Sequence, residues 1–177
     1  MDDYDQSKVT AALWGYATAV YASAAVAGNC LRLQDECGLD VNLLLVAAWL
    51  ASLHRELTAQ EAVMLDTHCV FWRERVVQPL REQRRAWRNL AERAADYKAI
   101  KALELAAERE QLARIAQCIA AQARGSFCDL GAQPPGGQRQ LLAANLAAVL
   151  ALHPGAGANP LIEDLIEAVL EAGTGAD

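Results

Sequence analysis

Residues 41–53 read VNLLLVAAWLASL, a run without a single charge in which Asn42 and Ser52 are the polar side chains. A helix that is apolar all round has to be enclosed on every side, and this one falls short of the roughly 20 residues needed to cross a bilayer. The rest of the chain is therefore expected to fold around it. Ala and Leu dominate, β-branched residues are sparse and aromatics make up 6%, a balance that favours helix over strand. The chain's 177 residues suffice for one ordinary hydrophobic core. The expected fold is an all-α helical bundle of about seven helices.

Local signals divide the chain. Leu13, Trp14, Ala17, Val20 and Tyr21 recur at helical spacing and predict a first helix over about residues 9–21. Ser23 is placed to cap a second helix, whose stripe is Val26, Cys30, Leu33 and Cys37 and whose left-handed terminator is Gly38. Asp40 caps the apolar core helix. Thr58 and Glu61 have the spacing of a capping box, so a fourth helix starts near Ala59 and runs through Val63, Leu65, Val70 and Trp72. At Pro79 the missing N–H and the ring predict a kink or break. A fifth helix carries Leu80, Arg84 and Trp87, and a long charged sixth covers residues 96–124, with Leu105, Leu112, Ile115 and Ile119 as its apolar stripe and Gly125 as its end. In this division residues 1–124 form a helical core domain, residues 125–137 a Pro/Gly linker, and residues 138–177 a C-terminal hairpin of two helices that docks on the main body or on a second copy.

Five cysteines without a CxxC pair resemble neither a disulfide framework nor a zinc site and point to a reducing cytoplasm. Residues 9–31 are uncharged and long enough to span a membrane. The acidic residues Asp2, Asp3 and Asp5 before them have the wrong sign for a signal peptide, and Thr18, Ser23 and Asn29 weaken insertion. No membrane association is expected.

The formal net charge is -6, yet residues 72–88, WRERVVQPLREQRRAWR, set six arginines against Glu74 and Glu82. Helical spacing brings Arg81, Arg85 and Arg88 to one face with Arg84 beside them, and Trp87 adds a stacking surface. Two readings follow. The arginines form a partner-binding face for an acidic protein, or less favourably for RNA; alternatively they pair with Glu104, Glu108 and Glu110 of the sixth helix.

Glu104 and Glu108 lie one turn apart near Lys101, but neither Ala107 nor Gln111 supplies the histidine that a helical di-metal site requires. With Asn42, which opens the apolar helix, these residues could line an interhelical polar pocket of a ligand-binding protein or enzyme. A nucleophile of the Cys–His kind would need distant residues such as Cys37 and His54 to meet. Phosphate-binding glycine loops do not occur, and no cofactor, metal or catalytic residue is expected.

The segment LQDECGLDVNLLLVAAWL, taken with Leu13-Trp14, Tyr21, Trp72, VVQPLREQRR and the ELAAE run from Glu104 to Glu108, resembles a proteobacterial family of uncharacterised small helical proteins that share LQDxxGxDVNLLLxxxWL. The resemblance covers roughly residues 13–112 and implies a cytoplasmic all-α protein without an assigned reaction. Functionally, the sequence is read as a non-enzymatic interaction protein, an adaptor or regulator that forms a homodimer. The ligand-binding or enzymatic bundle and the RNA or ribosome accessory factor stand as alternatives.

Overall fold

The computed structural model describes residues 2–122, 137–156 and 159–174. Its helices are α1 (Asp2–Tyr21), α2 (Ala24–Cys37), α3 (Val41–Ser52), α4 (Ala59–Trp72), α5 (Gln78–Trp87), α6 (Ala94–Gln122), α7 (Gly137–Leu150) and α8 (Pro160–Thr174). Among the described residues there is no strand, and the protein is an all-α bundle. The π-helical segment Arg73–Val77 joins α4 and α5 end to end, so the eight α-helices make seven separate rods.

The apolar helix α3 occupies the centre, with every residue from Asn42 to Ala51 buried. It packs against α1, α2, α6 and α7, while α2 meets α8 and α1 meets α6. Leu142, Leu146, Leu165 and Ile166 of the last two helices belong to the same continuous core as Leu13, Leu33 and Leu44. Burying each such side chain contributes about 1.5–3 kcal/mol. The linker expected over residues 125–137, together with Gly125 and Cys128, lies outside the described residues except for Gly137.

The helix ends follow local chemistry. Gly38 takes φ 71° after α2, and the Asp40 carboxylate accepts the Asn42 N–H at 2.9 Å. Thr58 and Glu61 make both halves of their capping box. Ser23 stands at the start of α2, but its hydroxyl bonds no backbone N–H. Helix α1 begins at Asp2, several residues before the expected start. The uncharged run is broken after Tyr21, and the two helices meet there at 99°. No single helix among the described residues is long and apolar enough to cross a membrane.

At Pro79 the chain stays helical, and the regular α-helix is interrupted just before it by the π-helical turn Arg73–Val77. The Gln78 N–H reaches back five residues to the Arg73 carbonyl. Widening this turn gives the proline ring room near the carbonyl it would otherwise strike.

Candidate functional site

Helix α5 contains no buried residue, and none is buried from Gln78 to Leu103. This stretch, α5 with the first part of α6, forms a two-helix arm that lies outside the apolar core. Charge holds its base. Arg81 donates from Nε to Glu104 at 3.2 Å and from Nη2 to Glu108 at 2.6 Å. Arg84 grips both carboxylate oxygens of Glu104 through Nε and Nη2. Glu104 is only 5% exposed, so the forked guanidinium pairs supply the partners that a buried carboxylate requires.

A second polar group continues the clasp toward α3. Arg73 donates to Asp40 at 3.0 Å and to Asp66 at 2.7 Å, and Gln111 donates to Asp40 at 2.5 Å. The Asn42 amide donates to the Glu108 carbonyl at 3.3 Å, and the Trp72 indole donates to the Ala107 carbonyl at 2.9 Å. The cap of α3 is thereby tied to α4 and α6. Burial pushes the Glu108 carboxyl above its ordinary value, with Glu104 and Asp40 adding to the rise and Arg81 opposing it. Burial also pushes the Tyr21 hydroxyl, beside this group, up to about 12.

The apolar stripe expected on α6 needs correction. Leu112, Ile115 and Ile119 are buried, but Leu105 is 56% exposed and the inward positions before Leu112 are Glu104, Ala107 and Gln111. The first half of α6 meets arginines with the buried Glu104, and its leucines, Leu103 and Leu105, point to solvent.

The expected partner-binding residues divide. Arg81 and Arg84 are held by α6, and Trp87 is half-buried with the Arg93 guanidinium 5.4 Å from its ring centre. Arg85 is exposed and reaches Asp35 of α2 at 2.6 Å, while Arg88 is exposed and makes no ion pair among the described residues. Glu110 pairs with Arg114 on its own helix and not with α5.

Of the residues expected to line a polar pocket, Asn42, Glu104 and Glu108 do come together, whereas Lys101 is exposed and outside the clasp. A groove of about 600 Å³ lies elsewhere, between α1 and α6, where Thr10, Trp14, Arg109 and Gln117 line it.

Cys37 and His54 do not meet. Cys37 ends α2 before α3 begins and His54 follows the other end of α3, so they are separated by the length of that helix, roughly 18 Å. Burial pushes the Cys30 and Cys69 thiols up to about 12, away from the reactive thiolate. Among the described residues no three His, Cys, Asp or Glu side chains converge to hold a metal ion.

Two residues have structural roles that the sequence reading did not assign. Asn145 of α7 is fully buried; its Oδ1 accepts the Leu57 N–H at 2.7 Å and its Nδ2 donates to the Ala47 and Arg55 carbonyls. An amide inside an apolar helix was the available signal, as at Asn42. His54 adopts φ 56° after α3, a left-handed position that usually falls to glycine.

No curated protein and no solved structure matches this chain. A family described as Protein of unknown function (DUF2390) matches residues 12–115, the span that holds α3, the clasp and the arm, and the chain belongs to that family.

Proposed function

We propose that this protein is a non-enzymatic helical interaction protein, an adaptor or regulator, that engages an acidic protein partner through the exposed arginines of its arm. The observation that carries the reading is the split among the arm's arginines: Arg81 and Arg84 are consumed by Glu104 and Glu108, while Arg85, paired with Asp35, and Arg88 remain at the surface. Such cations steer an acidic surface and fix its orientation more than they add affinity. The Asn42–Glu108 group is closed on itself by hydrogen bonds and ion pairs, which favours a structural role over ligand binding. A reducing cytoplasm suits the reading, since Cys30, Cys37, Cys69 and Cys118 are free thiols.

The test is capture from nuclease-treated extract on the tagged protein and on an Arg85→Glu/Arg88→Glu variant. Arg81 and Arg84 are left intact because replacing them would dismantle the clasp. A stoichiometric protein retained by the wild type and lost from the variant supports the reading; equal retention overturns it. Sizing the purified protein identifies whether a second copy is that partner.

A further inference from the structure

Exposed basic residues recur beyond α5. On the returning helix, Lys98, Lys101 and Leu105 recur at spacings of three and four, so they share one stripe, and all are exposed. Neither lysine has an acidic partner among the described residues. Arg88 and Leu90 stand at the turn between the two helices, with Leu90 42% exposed. The acids at this end are Glu92 and Asp96, and Asp96 is held by Arg93 at 2.9 Å.

This surface asks two things of an occupant. Its cations require negative charge, and its exposed leucines require aliphatic cover. Single-stranded RNA meets only the first: bases bind by stacking on aromatic side chains, and the arm's Trp87 is half-buried beside Arg93. Building on the interaction reading above, we infer that the occupant is an acidic amphipathic protein segment. Its carboxylates meet Arg88, Lys98 and Lys101, and its aliphatic side chains cover Leu90 and Leu105. The recognition unit is then the whole two-helix arm, and its specificity comes from the leucines beside the lysines.

The test is selection of a display library of random 16-residue peptides, and separately of random 12-nucleotide RNA, on the full-length protein. The expected result is a set of peptides in which Asp and Glu alternate with Leu and Ile, whose binding drops at least tenfold on both Lys98→Glu/Lys101→Glu and Leu105→Ser, each variant keeping the wild-type circular dichroism. Acidic peptides without aliphatic enrichment, indifferent to Leu105→Ser, would overturn the inference while leaving an acidic partner in place. Binding indifferent to Lys98→Glu/Lys101→Glu but lost on Arg85→Glu/Arg88→Glu would confine the surface to α5 and overturn it as well. Enrichment of RNA alone would overturn both this inference and the reading on which it rests.

Discussion

Arg81 Nη2 donates to Glu108 Oε1 at 2.6 Å, across the seam between α5 and α6. The same guanidinium also bonds Glu104, so one arginine joins two carboxylates a helical turn apart. Because α5 buries no residue of its own, these bonds and the neighbouring Arg84–Glu104 pair substitute for apolar packing at the base of the arm.

Removing Glu104 should therefore leave two partly buried guanidinium groups short of a partner. Glu104→Ala should destabilise the protein by about 3 kcal/mol, the range for breaking one side of a buried ion pair. The loss is read from urea unfolding followed by circular dichroism. Hydrogen exchange should show α5 opening first, because its protection depends on the clasp and not on the core.

Two glutamates should give opposite pH signatures. Burial alone would raise the Glu61 carboxyl, but the Thr58 amide and hydroxyl and the Arg55 guanidinium outweigh it and hold it below its ordinary value of 4.5. A lowered carboxyl contributes stability that is present above pH 4.5 and lost as pH falls through the folded value. The cost of Glu61→Gln, about 1 kcal/mol for a broken cap, should thus shrink in acid. Glu108 is raised, so its contribution is present below pH 4.5 and lost as pH rises through the folded value. The stability difference between wild type and Glu108→Gln should fall with rising pH, as measured by urea unfolding across pH 3–7.

Asn145 joins α7 to the turn between α3 and α4. Asn145→Ala removes one acceptor and two donor bonds at a fully buried site. With unsatisfied backbone groups costing about 1–3 kcal/mol each, a loss of at least about 3 kcal/mol should follow. Calorimetry would show it as a lowered Tm. A change under about 1 kcal/mol would mean that water replaces the amide.

His54 sits at φ 56°, where a side chain is strained by about 1 kcal/mol. His54→Gly should raise stability by about that amount in urea unfolding, an unusual sign for a substitution in this protein.

What sequence made legible follows the range of the interaction. Gly38, Asp40 and the Thr58–Glu61 box act within a few residues, and spacing alone identified them. The central position of α3 was legible because a helix apolar all round has one place to go. The arm was harder to read. Whether Arg81 or Arg85 faces α6 depends on the rotation of α5, which the π-helical turn at Arg73–Val77 sets. Leu105 was misassigned because apolar periodicity points to leucines, whereas α6 before Leu112 buries Glu104 and Gln111. Which arginines stay at the surface also had to await the structure, since burial against α6 divides arginines that look equivalent in sequence.

The proposed interaction uses exposed cations of the arm, and not the clasped pair, to engage an acidic protein. Its most direct test is quantitative mass spectrometry of proteins retained from nuclease-treated extract by the wild type, by Arg85→Glu/Arg88→Glu, and by a Glu82→Lys control, after matched unfolding curves. The expected result is one stoichiometric partner whose recovery falls at least about tenfold in the double variant and holds or rises in the control. Unchanged recovery in the double variant, or retention of nothing beyond the protein itself, would contradict it.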